Sequence, residues 1–488
     1  MKKVIASVLS VAMVAAFAAG CTTTETSATQ GTTAGGEDET VATSGEEPTE
    51  SSEEETTEET PEKFNLGTGS EHINLWSFTN EVPNMVNKYI SLHPEFGEKY
   101  TVDVTIIATT NGAYQPALDA ALAAGGQDAP DIYTAEAAFV LKYTQGSASQ
   151  FAATYKDLGI DVDAKIAEAG IAPYTIDIGS RNGEVVGLGY QATGGAMIYR
   201  ASIAKEVFGT DDPAEIEKIV GAGTQKWDKF WEAAAKLKEA GYPIVSGDGD
   251  VWHSVENSSS TGWVVNGELT ISPEREAFLD ISKQLKDNGW SNLSSDWQPA
   301  WFADMNGTSE HNAFCFFGPA WLLNYSMHDN VGGNFADGEG TNGDWRVCAP
   351  PVGFYWGGTY LIANKDTDNK EGVAEFIEWV TLDSSDTGLQ YFWANGTMVD
   401  GEVGTKDCVS SGTVMAKSNG EVEICGGQNI FPAFIKGNEY ASGKCMTEYD
   451  EMINKYWRDA VNLYSNGECD RDAAIAQFTQ NVNDNLSF

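Results

Sequence analysis

The sequence predicts an α/β fold arranged in more than one lobe, and three observations carry that prediction. The chain has 488 residues, more than one compact core usually holds. Alternating runs at 73–77 and 102–106 flank a segment with helical spacing, the strand, helix, strand unit of a parallel sheet. Hydrophobic residues make up 41% of the chain, enough for sizeable cores.

Taken in order, Ile73-Asn74-Leu75-Trp76-Ser77 alternates as a strand, and Val82, Met85, Val86 and Tyr89 share a helical face. Val102, Val104 and Ile106 alternate with polar neighbours, and Tyr114 to Ala124 is helix-prone up to Gly125-Gly126. Strands are expected at 130–133, 185–191 and 196–199, the last two around a Gly-rich turn. Trp227, Phe230, Trp231, Ala234 and Leu237 share one helical face. Ser272-Pro273 offers a cap and a first-turn proline for the next helix. Further helices are expected through Val373 to Val380, Tyr449 to Leu463 and Ile475 to Val482.

Seventy-two Asp and Glu against 29 Lys and Arg give a formal charge of −43, which excludes nucleic acid as a natural partner. Five His are few for a metalloenzyme, whereas 14 Trp and 18 Tyr exceed what packing needs. No G-x-S-x-G, H-E-x-x-H or Walker motif occurs, so serine hydrolase, zinc peptidase and NTPase readings lack support. Asp366-Thr367-Asp368 matches half a calcium loop but lacks its later ligands, so a turn is expected there and no metal or cofactor site is assigned.

Lys2 and Lys3 precede the apolar stretch Val4 to Ala19, the pattern of an export signal over residues 1–20. Ala18-Ala19-Gly20-Cys21 resembles the lipobox of bacterial lipoproteins, which implies cleavage before Cys21 and lipidation of its sulfur. Residues 22–62 hold 13 Asp and Glu and no Lys or Arg, so residues 21–62 are expected to form a lipidated, solvated spacer. No second stretch approaches spanning length, so the remainder is expected to be extracellular, held to the membrane through the lipid alone. Six cysteines follow in a compartment that permits disulfides; clustering suggests Cys408 with Cys425 and Cys445 with Cys469, with buried thiols as the alternative.

The segments INLWSFTNE (73–81), APDIYTAEAAF (129–139), VVGLGYQATGGAMIYR (185–200), WDKFWEAAAKLK (227–238), FFGPAW (316–321), WGGTYLIANK and EGVAEFIEWV (356–380) occur in the order found in one family. The chain resembles the bacterial extracellular solute-binding proteins of ABC importers, specifically the maltose-binding-protein-like sugar-binding group. That resemblance implies a two-lobed periplasmic-binding-protein-like fold with a ligand cleft between lobes joined by crossover segments. One lobe would comprise 63–180 with 349–410, the other 181–348 with 411–488. It implies capture of an oligosaccharide without catalysis, lobe closure, delivery to permease subunits and a monomeric state on the outer face of a cell membrane, the long spacer suggesting a Gram-positive cell.

A sugar offers C–H faces to aromatic rings and a rim of hydroxyls to Asn, Gln, Asp and Glu. Trp76, Asn80 and Glu81 end the first strand, where open α/β sheets place ligands, although Asn80 and Glu81 also fit a helix cap before Pro83. Glu136 follows the strand at 131–133, in the place of the family's polar sugar contacts. Trp252 and His253 lie in a polar stretch where the family carries aromatic contacts. Trp321 matches the family's Gly-Pro-Trp stacking element, with Ala320 as an extra residue. Trp356 precedes Gly357-Gly358, where glycine lets the backbone approach a ligand. Tyr190 and Trp301 are cleft candidates equally compatible with the core. Two rivals share this composition: a secreted glycoside hydrolase, which needs two carboxylates at a set separation, and a surface glycan-binding adhesin.

Overall fold

The computed structural model describes residues 60–109 and 112–488; the expected export signal, Cys21 and nearly all of the acidic spacer lie outside them. The principal elements begin with β1 (Glu62–Gly67), β2 (Glu71–Ser77), α1 (Val82–Leu92), β3 (Tyr100–Ile106), α2 (Tyr114–Ala124), β4 (Ile132–Glu136), β5 (Gly187–Gly189) and β6 (Ala196–Arg200). There follow α3 (Asp228–Glu239), α4 (Gly249–Asn257), α5 (Pro273–Asp287), β7 (Cys315–Gly318), β8 (Trp345–Cys348), β9 (Thr359–Ala363), α6 (Lys370–Thr381), α7 (Asp450–Ser465) and α8 (Arg471–Asn485).

Two α/β lobes result. The first is built on a six-stranded mixed sheet, β1-β3-β2-β4-β9-β5. Its centre is parallel, β2 lying between β3 and β4, as the strand, helix, strand pattern requires. β9 returns antiparallel to both β4 and β5. β1 was not foreseen; Phe64 and Leu66 alternate weakly, and the strand adds antiparallel at the β3 edge. One face of the sheet packs on Val86, Tyr89, Phe376 and Trp379, the other on Tyr114, Leu118, Tyr143 and Tyr174.

The second lobe centres on β6, buried along its whole length between antiparallel β7 and β8. Its larger core gathers Phe230 and Leu237 of α3, Trp252 of α4, Phe278 of α5, Trp457 of α7 and Phe478 of α8. Ser272 caps α5 by accepting from the Arg275 N–H, the device expected from Ser-Pro at that place. A second core, around Phe316, Leu322, Trp345 and Phe434, lies on the other side.

The lobes are joined by three segments lying side by side. Residues 190–195 run in the middle: Ser410 N–H donates to the Tyr190 carbonyl at 3.0 Å, Gly195 N–H to that of Phe354 at 2.8 Å, and Trp356 N–H to that of Thr193 at 3.1 Å. Gly195 is obligatory, because a Cβ there would lie 1.9 Å from Cζ of Phe354.

Two expectations are corrected. The six cysteines of the described residues are all free thiols, so neither Cys408–Cys425 nor Cys445–Cys469 forms. Cys408 and Cys425 pack as small hydrophobes in one apolar core. The polar stretch around Trp252, expected to present that indole to a ligand, is helix α4, buried nearly all round, so its polar residues hydrogen-bond inward instead of facing water. Asn257, for example, accepts from Tyr355 N–H at 2.6 Å.

Candidate functional site

The ends of β4 and β9, the first turn of α1 and the three joining segments meet at one place, and an aromatic group collects beside it. Trp356 lies on the second joining segment. The His253 ring stacks on it at 4.5 Å and 27°. Trp321 meets Trp356 edge-on at 4.8 Å and 69°, and its indole N–H donates to the Trp356 carbonyl at 2.9 Å. Trp297 lies parallel to Trp321, 6.0 Å away and 9° from coplanar, and touches Trp301 at 5.2 Å. Aromatic quadrupoles favour this mixture of edge and offset contacts.

One carboxyl flanks the group, and two more lie along the joining segments. Glu136 ends β4 and accepts from Ala138 N–H at 2.6 Å. Gly357 (φ +77°) keeps it close to the indoles: a Cβ at that glycine would stand 3.3 Å from Glu136 Oε1 and 3.4 Å from Trp321 Nε1. Burial pushes the Glu136 carboxyl up to about 7; the Ala138 N–H offsets part of this and the like charge of Glu451 adds to it. Glu81 accepts a 2.7 Å hydrogen bond from the Tyr190 hydroxyl, and burial raises its pKa although that bond lowers it. Asp407, on the third joining segment, is likewise raised to about 6 by burial and accepts from Gln191 Nε2 at 2.5 Å. Near neutral pH, Glu136 therefore offers both a donor and acceptors.

The expected residues separate into two sets. Glu136, His253, Trp321, Trp356 and Gly357 come together, and Glu81 with Tyr190 forms a pair beside Trp393, whose ring meets Tyr190 at 5.5 Å. Trp76 is half-buried against the first lobe's core and Asn80 is exposed. Trp252, 4% exposed, turns into the second lobe's core against Phe278. Trp301 is 1% exposed and backs the group from within the core. Two participants were not foreseen. Trp297 precedes Gln298-Pro299 at a helix start, a signal of chain reversal but not of stacking. Asp407 sits in a segment without periodicity and offered no signal.

Among the described residues no group of His, Cys, Asp and Glu is arranged to hold a metal, and no helix is long and apolar enough to cross a membrane. Residues 366–369 form turns closed by Asn364 Oδ1 and Thr367 Oγ1.

The family described as bacterial extracellular solute-binding protein matches residues 83–386. No curated protein matches the chain. Among solved structures, an extracellular solute-binding protein of family 1 superposes with a TM-score of 0.68 at 17% identity, covering 85% of this chain and 99% of that one. The sugar-binding protein MalE of Xanthomonas citri gives 0.60 at 16% identity, covering 85% and 96%. The galacto-N-biose/lacto-N-biose I-binding protein of a Bifidobacterium longum ABC transporter gives 0.59 at 16% identity, covering 86% and 98%.

Proposed function

This chain belongs to the bacterial extracellular solute-binding protein family, and from that premise we propose that it captures an oligosaccharide between its lobes and delivers it unaltered to the permease of an ABC importer. The observation that carries the reading is the pair of Trp321 and Trp356 with Glu136 beside the joining segments. Such a group offers apolar faces to sugar C–H surfaces and hydrogen-bonding carboxyls to the hydroxyl rim. Glu81 and Asp407 extend the polar lining, and His253 holds the Trp356 ring. The lacto-N-biose complex of the Bifidobacterium longum protein and the description of Xanthomonas citri MalE as sugar-binding support a carbohydrate ligand.

The lobes exchange chain at 190–195, 354–358 and 407–411 in this reading, and closure bends those segments. Lipidation at Cys21 and the acidic spacer tether a monomer outside the cell, which keeps it near its permease. Calorimetry across malto-, cello-, manno- and xylo-oligosaccharides tests the ligand class, and X-ray scattering at saturation tests closure. Binding of one series with a smaller radius is the expected result. An unchanged radius favours an adhesin, release of reducing sugar favours a hydrolase, and either overturns the importer reading.

A further inference from the structure

Trp321, the residue best suited to stack a sugar ring, is only 7% exposed. An aromatic platform needs an open face, so what covers it decides how a ligand reaches it. One cover is Trp356, edge-on at 4.8 Å. The other is Trp297, parallel to Trp321 within 9° at a centroid distance of 6.0 Å. A ring held between two parallel indoles needs them about 7 Å apart or more, two carbon contact distances, so nothing fits between this pair.

Opening of the lobes does not uncover the platform, because Trp297 and Trp321 belong to the same core of the second lobe. Uncovering requires a local movement, and the chain around Trp297 is built for one. Trp297 has φ +66°, and Leu293, four residues earlier, has φ +61° and is 57% exposed. A bulky residue in the left-handed region is strained and persists only where its surroundings hold it. The segment is tied down on one side by Ser294 N–H to the Ser246 carbonyl at 3.1 Å and by Ser294 Oγ to Asp304 at 2.8 Å. On the other side the helix Pro299–Asn306 begins. The Gln298 carbonyl caps that helix by accepting from the Trp301 N–H at 3.0 Å, and the Gln298 N–H closes a turn by donating to the Ser295 carbonyl at 3.2 Å. Asp296 rests against Gly249 of α4, so the movement is confined to Trp297 within that turn.

We propose that Trp297 is a displaceable cover of Trp321, standing on the platform in the empty protein and yielding it to a sugar ring, so that it sets which rings are admitted. The proposal rests on the carbohydrate reading above for its ligand, but not for the cover itself. Displacement breaks the ring contacts of Trp297 with Trp321 and with Trp356 (5.9 Å, edge-on), strains that with Trp301, and relieves a strained backbone, so the cover competes with the ligand.

The test compares the parent chain with Trp297→Ala and Trp297→Asn, the second because Asn accepts left-handed backbone and keeps the loop if Ala does not. Limited oxidation with N-bromosuccinimide followed by peptide mapping should show Trp321 protected in the parent and oxidised several-fold faster in both variants. Equal protection of Trp321 in parent and variants overturns the proposal. Calorimetry with the oligosaccharide panel should show affinity tightened by at least about threefold in the variants, a lower bound set by releasing one of these ring contacts. Weakened affinity overturns the proposal too, since Trp297 would then be part of the platform. If no glycan binds parent or variants while Trp321 oxidation accelerates, the carbohydrate reading fails and the cover stands.

Discussion

The Tyr190 hydroxyl, on the first joining segment, donates a 2.7 Å hydrogen bond to Glu81 at the entry to α1, so the hinge is pinned to the first lobe by a buried tyrosine and a desolvated carboxyl. Tyr190→Phe removes the donor and leaves the acceptor in place, which costs about 1–3 kcal/mol of stability. The Glu81 pKa rises further, because the lost bond had favoured the charged form. Urea unfolding should therefore show a loss that grows as pH rises, because the missing bond favoured the charged carboxyl.

Trp321 and Trp252 were both expected to stack on ligand, and their surroundings now distinguish them. Trp321→Ala should weaken oligosaccharide affinity by about 1–3 kcal/mol, as loss of an aromatic anchor does. It should also lower stability by about 3–5 kcal/mol, because the indole is packed into the second lobe's core. Trp252→Phe, deep against Phe278, should lower stability while leaving affinity unchanged in calorimetry.

Asp450 opens α7 in the second lobe and burial raises its carboxyl to about 7, partly opposed by Arg275. Its folded pKa lies above the unfolded value of about 4. The folded chain therefore holds the proton longer, and this stabilisation is complete below the unfolded value and lost as pH rises through the folded one. Asp450→Asn removes the dependence and keeps an acceptor for Thr447, which now donates to Asp450 at 2.5 Å. Thermal melts between pH 4 and 8 should fall more steeply for the parent than for the variant.

The thiols offer a direct check on packing. Burial raises the pKa values of Cys315, Cys348, Cys408 and Cys425, which should resist alkylation in the folded chain. Cys445 and Cys469, half-buried, should react first. A Cys408–Cys425 crosslink in a non-reducing peptide map would contradict this arrangement.

Much of the fold was legible where a single face of a helix or strand meets one core. Val82 to Leu92, Tyr114 to Ala124 and the Ser272-Pro273 start were read with their boundaries. Helix α4 was not, because both its faces are buried and periodicity disappears when polar residues find partners inside. The aromatic group was legible where glycine or proline marks the chain, as at Trp321 and Trp356, which the fold brings into contact. Trp297 and Asp407 escaped because their roles come from neighbours distant in sequence, which no local pattern records. The cysteine pairing failed for the same reason, spacing along the chain being a poor guide to distance across a core.

The chain passes between the lobes three times, and the last two helices complete the core begun by β6. The first lobe therefore cannot be finished during synthesis until β9 and α6 are made, nor the second until α7 and α8 are, and long-separated contacts slow the search for the native state. A polypeptide so wired stays unfolded for the interval in which a secretion channel would have to thread it.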